Sequence, residues 1–141
     1  METSVRRVAQ GERESLRELL TAYLLEFDGQ TTPYRYFDEY WSEPERVPFF
    51  VEVEGEIVGF CLVRLRDLDW TIAEFTVVPE RRRNGFGRLA IEAVREHAVS
   101  AGASYIEASV HREKTSVLAF WLACGFRIVE EKDMFVTRLD L

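Results

Sequence analysis

The stretch Val78-Pro79-Glu80-Arg81-Arg82-Arg83-Asn84-Gly85-Phe86-Gly87-Arg88 separates two unlike segments of chain. Before it, Trp70 to Val78 is β-branched and aromatic and reads as a strand. After it, Phe86, Leu89, Ala90, Ala93, Val94 and Ala98 recur at helical spacing. Phe86 to Ser100 therefore reads as an amphipathic helix, with Gly102 as its stop. Strand, glycine-bearing loop and helix in that order make an anion cradle. Two glycines admit backbone torsions and close approaches that side chains block. The helix start turns unpaired N–H groups and the positive end of its dipole toward the loop. Arg81, Arg82, Arg83 and Arg88 add attraction, so a phosphate or pyrophosphate is the natural guest.

Outward from this loop the chain alternates strands and helices. Val5 to Ala9 reads as a short strand, Gly11 to Phe27 as a helix and Tyr34 to Trp41 as a short helix. A hairpin follows: Phe49 to Val53, a turn at Glu54-Gly55-Glu56, and Ile57 to Arg66. Beyond the helix at Phe86, Tyr105 to Val110 is a strand, Thr115 to Ala123 a helix, and Phe126 to Val129 and Phe135 to Leu139 two last strands. The order is βααβββαβαββ. It predicts one α/β domain over residues 1–141, with a mixed sheet of about seven strands and about four helices.

Composition agrees with a single globular unit. The 141 residues are 47% hydrophobic and 30% charged, which argues against disorder. No apolar run approaches the roughly 18 residues of a membrane helix, and no secretory signal is visible near Met1. Cys61 and Cys124 sit in apolar segments without metal-ligand spacing. Free thiols in a reducing cytoplasm are expected, and no metal. A net charge of −7 argues against nucleic-acid binding, which needs a positive surface.

A P-loop is absent. A dinucleotide fingerprint could be read from Gly85, Gly87 and Ala90, with Glu107 near the spacing of its acidic residue but within a strand. The longer string is more specific. Val78-Pro79-x-x-Arg82-x-x-Gly85-x-Gly87 resembles the acyl-coenzyme A signature of the GCN5-related N-acetyltransferase (GNAT) superfamily. Phe120-Trp121-x-x-x-Gly125-Phe126 resembles that family's later helix-and-strand motif. The two motifs span Glu74 to Phe126. The resemblance implies a GNAT-like fold and an acetyl-CoA-dependent N-acetyltransferase acting on an amine of a small molecule or peptide. The alternative is a catalytically silent acyl-CoA-binding module of the same fold. Similar proteins are often dimers, and an exposed final strand could pair between copies.

Carried over by position, Val77 and Val78 would offer backbone groups to the pantetheine arm. Arg82, Arg83, Asn84, Gly85, Phe86, Gly87 and Arg88 would wrap the pyrophosphate, mostly through main-chain donors. The second motif departs from the family pattern at three positions, one of them Val117, which stands for its usual small alanine. Lys114 stands for its asparagine, and Trp121 for the tyrosine often proposed as the acid. An indole N–H has no usable acidity, which leaves Trp121 a packing role against coenzyme A. Tyr105, Tyr34, Tyr36 and Tyr40 are other phenols. Glu74, an acid in an apolar strand, is the candidate base that takes a proton from the attacking amine. Against this stand a pairing with Arg64 or Arg66, and a one-residue register change that would turn it from the cleft. His111 could bind substrate or simply end its strand, and His97 reads as structural. The acidic, aromatic stretch Tyr34 to Trp41 would either receive a cationic amine or pack a helix on the sheet.

Overall fold

Alternation along the central strands decides which helix covers which face of the sheet. In the computed structural model, which describes residues 2–141, the chain forms a single α/β domain. Its elements are β1 (Thr3–Arg7), α1 (Arg13–Asp28), α2 (Glu39–Ser42), β2 (Arg46–Val53), β3 (Glu56–Arg66), β4 (Asp69–Val77), α3 (Phe86–Ser100), β5 (Tyr105–His111), α4 (Thr115–Ala123), β6 (Arg127–Glu131) and β7 (Met134–Asp140). The order is the expected one. The seven strands form one sheet, β1-β2-β3-β4-β5-β7-β6. Every neighbouring pair is antiparallel except β4 with β5.

On β3, Cys61 and Val63 enter one core, with α3 and α4, while Phe60 and Leu62 enter a second, with α1 and α2. Period-2 alternation thus gives each face an apolar surface for one helix layer. α3 presents Phe86, Ala90, Ile91, Val94 and Ala98 to its core. The buried stripe is rotated slightly from the expected one: Ile91 is buried and Leu89 exposed. α1 buries Leu16, Leu20 and Leu24 and ends at Gly29 in the left-handed region. There the Gly29 and Gln30 N–H groups return to the carbonyls of Leu25 and Leu24.

Two expectations need correction. Tyr34 to Trp41 is not a continuous helix: turns lead into one helical turn at Glu39–Ser42. Aromatic residues are weak helix formers, and packing governs here. Phe37 and Tyr40 enter the α1-side core, and the Arg46 guanidinium lies 4.8 Å above the Tyr36 ring. Nor is the last strand an edge. β7 runs between β5 and β6, so β6 is the outer strand.

Between β3 and β4 the backbones approach so closely that Gly59 has no room for a side chain. A Cβ there would meet the Thr76 carbonyl oxygen at 2.1 Å. Neither strand can yield without losing its ladder. Gly59→Ala is expected to cost about 2–4 kcal/mol in urea unfolding. Gly11→Ala, with open space around it, should stay within about 0.5 kcal/mol.

Candidate active site

β4 and β5 pair over only three positions, Trp70↔Ile106, Thr71↔Glu107 and Ile72↔Ala108. Beyond them β4 stays with β3 and β5 with β7, so the sheet parts at its centre. The parting begins at a bulge. Leu62 pairs with Glu74 and Val63 with Ile72, which leaves Ala73 as an extra residue. The bulge also settles the facing of Glu74. In a regular strand Glu74 would share the α3 face with Trp70 and Ile72. Instead Phe75 and Val77 join that face, and Glu74 turns toward α1.

Two cavities meet at this opening. One, of about 390 Å³, lies among Ala73 and Glu74 of β4, Ser109 and His111 of β5, Tyr23 and Asp28 of α1, and Lys114. The other, of about 470 Å³, lies against Val77, the loop from Arg81 to Gly85, the start of α3, and Ser116 and Phe120 of α4. Phe27, Phe75, Val117 and Trp121 line both and form the shared wall.

Glu74 is half-buried and its partner is not an arginine. The Tyr23 hydroxyl donates to Glu74 Oε2 at 2.6 Å, and Arg64 and Arg66 are exposed. Burial raises the carboxyl above its usual range. The Tyr23 hydrogen bond, Lys114 and His111 pull it back down, while Asp28 adds to the rise. Burial likewise holds Tyr23 in its protonated form. The sequence marked Tyr23 only as one apolar position of α1. The available signal was a phenol in a buried helical stripe, which needs a hydrogen-bond partner.

The loop runs from strand to helix as expected, and its side chains divide between partners within the fold and solvent. Gly85 sits at φ 78°, in the left-handed region, and caps α3. Gly87 gives passage to Phe120, whose ring would lie 3.0 Å from an added Cβ. Asn84 donates to the carbonyls of Arg81 and Arg82 and fixes the loop. The Phe86 side chain is buried in the α3-side core. Arg81 pairs with Glu56. Arg82 pairs with Glu26 at 2.8 Å and donates to the Val77 carbonyl at 2.7 Å. Among the described residues, Arg83 and Arg88 make no ion pair; they are the free cations beside the α3 N-terminus. The Val78 N–H donates to Val58 at 2.8 Å, and the Val78 carbonyl accepts from Arg81. Ladder alternation then turns the Val77 N–H to the opening.

The remaining candidates separate. Lys114 precedes α4 and reaches Asp28 at 3.4 Å, across the first cavity. Trp121 is buried, packed on Phe75 and Phe126. His111 lines the first cavity, whereas His97 Nε2 lies 3.2 Å from the Val5 carbonyl, in a structural position. Tyr105 stacks under Arg138. Glu107 is paired with the same arginine at 2.9 Å, which removes it from any ribose-binding role.

In sequence, residues 13–126 match the acetyltransferase (GNAT) family. The chain belongs to this family. No curated protein matches the chain in sequence. The fold of this GNAT chain is similar to an acetyltransferase from Thermus thermophilus, at 22% identity, TM-score 0.81, covering 100% of this chain and 98% of that one. It is also similar to the PaiA N-acetyltransferase from Thermoplasma acidophilum in complex with coenzyme A, at 12% identity and TM-score 0.78 over 100% of both chains. A third likeness is a GNAT family acetyltransferase from Elizabethkingia anophelis with acetyl-CoA bound, at 16% identity, TM-score 0.78, covering 99% and 98%.

The raised Glu74 carboxyl has a consequence for stability. Folding favours its protonated form, so its stabilising contribution is complete below the unfolded pKa and is lost as pH rises through the folded one. Glu74→Gln keeps an acceptor for Tyr23 and cannot ionise. Its thermal midpoint should exceed the parent's at about pH 8, and the difference should shrink toward zero by about pH 3.5.

Proposed function

We propose that the chain is an acetyl-CoA-dependent N-acetyltransferase that moves an acetyl group to a primary amine by direct attack. The carrying observation is the meeting of the two cavities. A half-buried carboxylate lies on one side of a shared aromatic wall, and an anion cradle on the other. Membership of the GNAT family, and relatives of this fold with coenzyme A or acetyl-CoA bound, support the donor.

Acetyl-CoA supplies an activated acyl carbon whose C–S bond breaks as the amine forms a C–N bond. The residues of this chain do the rest. The N–H groups of Phe86, Gly87 and Arg88, with the Arg83 and Arg88 side chains, hold the pyrophosphate. Gly85 and Asn84 keep the loop in shape for it. Arg82 acts as a strut that fixes the end of β4. The Val77 N–H is the donor assigned to the pantetheine arm or the thioester oxygen. Glu74 takes the proton of the attacking amine, which is nucleophilic only when neutral. With Trp121 in the phenol's place, solvent protonates the departing thiolate, whose conjugate acid has a pKa of about 8.5.

The acceptor is a small-molecule or peptide amine reaching the cavity between α1 and β5. Free Cys61 and Cys124 favour a cytoplasmic setting. A homodimer built by strand pairing would use β6. No helix among the described residues is long and apolar enough to cross a membrane.

The test is titration calorimetry with acetyl-CoA against NADH, followed by release of free thiol over a panel of amines. Saturable binding of acetyl-CoA alone, with turnover on some amine, is expected. Binding without turnover on any amine would leave a silent acyl-CoA module. No binding by the folded protein would overturn the cradle assignment. Arg83→Ala and Arg88→Ala should each weaken acetyl-CoA binding about tenfold. Arg81→Ala should cost less, because Glu56 already holds that side chain. Gly85→Val forces a β-branched residue into a left-handed torsion and should lower affinity more than stability. Glu74→Gln should lower the rate at neutral pH, with partial recovery at high pH, where more of the amine is already neutral.

A further inference from the structure

We propose that Tyr23 is a positioning residue that holds the Glu74 carboxylate ionised and aimed into the cleft. This rests on the reading of Glu74 as the base.

The argument begins with a conflict. A base must be ionised when the amine arrives, yet Glu74 is half-buried at the floor of the cavity, and burial favours its neutral form. Something in the site must favour the ion. The groups facing Glu74 come from every element around it: Tyr23 and Asp28 of α1, Tyr34 and Tyr40 on the α2 side, His111 of β5, and Lys114 before α4. Asp28 and Lys114 hold each other at 3.4 Å and act on Glu74 in opposite directions. Among the described residues, only Tyr23 is in hydrogen-bonding contact with it.

The contact is oriented to stabilise charge. A phenol hydroxyl donating at 2.6 Å has the short length of a bond to an ionised acceptor. It occupies Oε2, and no other hydrogen bond of the described residues reaches Oε1, which is left for substrate. The phenol itself is fixed from two sides. Its ring stands edge-on to Phe60 at 5.3 Å and lies 5.1 Å from Phe27. Tyr23 therefore arrives at Glu74 already ordered, and ordering it for the bond costs little further entropy. Burial keeps its own proton in place, so it can donate across the working pH range. The arrangement differs from a phenol placed to protonate a leaving thiolate. Tyr23 belongs to the amine side of the shared wall, and it lines the cavity of Glu74 without lining the cofactor groove.

Tyr23→Phe removes the hydroxyl and keeps both ring contacts. The experiment follows the Glu74 side-chain carboxyl carbon by NMR as a function of pH, in the parent and in Tyr23→Phe, with Glu74→Gln to assign the resonance. It needs no substrate. Loss of a hydrogen bond to a charged group should move the Glu74 midpoint upward by about one to two pH units. The pH–rate profile, measured with n-butylamine and acetyl-CoA, should show its acid limb displaced upward by the same amount. The high-pH plateau should remain within about twofold of the parent's. An unmoved midpoint overturns the proposal, whatever happens to the rate. So does a moved midpoint with an unmoved acid limb. A uniform rate loss at all pH values also overturns it, because it would make Tyr23 a proton donor or a packing residue. The underlying reading fails separately: if Glu74→Gln retains the parent's acid limb and rate, Glu74 is not the base.

Discussion

One inserted residue, Ala73, governs the middle of this molecule. β4 arrives beside β5 in a parallel ladder and leaves it after Ile72, and the bulge lies at that point. A bulge bends its strand and sharpens the local twist, so the two parallel strands cannot stay in register past it. The opening is therefore built into the backbone. The same insertion exchanges the faces of all later β4 residues. Phe75 and Val77 go to the α3 side, and Glu74 goes to the α1 side. The cleft and the direction of its carboxylate have a single cause.

The end of α1 then closes what the bulge opens. Glu26 holds Arg82, Phe27 lies in the wall between the cavities, and Asp28 holds Lys114. One helical turn thus ties the Arg81–Gly85 loop to the approach to α4. It also reduces the positive charge of the cradle. The run Arg81-Arg82-Arg83 reads as three free cations, yet two are neutralised by Glu56 and Glu26. The field that remains comes from Arg83, Arg88 and the α3 N-terminus. That is positive charge confined to one loop rather than the stripe a nucleic acid requires.

The fold was legible because its signals are local. Helical spacing from Phe86, alternation in β3 and β4, and the glycines at 85, 102 and 125 each act within a few residues. The strand, loop and helix start around Gly85 were legible for the same reason, since they are contiguous. Glu74 stood out as an acid in an apolar strand, but its facing depended on a bulge that alternation alone does not reveal. Tyr23 was hidden more deeply. Within α1 it is one more large residue on the buried stripe, and only the packing of α1 over β4 brings its hydroxyl to Glu74. The aromatic stretch from Tyr34 misled in the opposite direction. Its i, i+4 spacing imitates a helix, while tertiary packing and the Arg46 guanidinium hold the residues in turns.

The proposed reaction accommodates a residue by which this chain departs from the family motif. Trp121 stands where a phenol would serve as an acid, and it fills the core with Phe75 and Phe126 instead. A thiolate is a good leaving group that water can protonate, so the thiol side makes the weaker demand. The amine side makes the stronger one, because a protonated amine cannot attack at all. A buried carboxylate is a stronger base than an exposed one, and burial disfavours the ion that does the work. A hydrogen bond from an ordered phenol reconciles these: it retains part of the raised basicity while keeping the charge in place. On the proposed reading, the half-buried phenol of Tyr23 stands on the side of the wall where proton transfer is demanding, and the Trp121 indole serves the side where it is not.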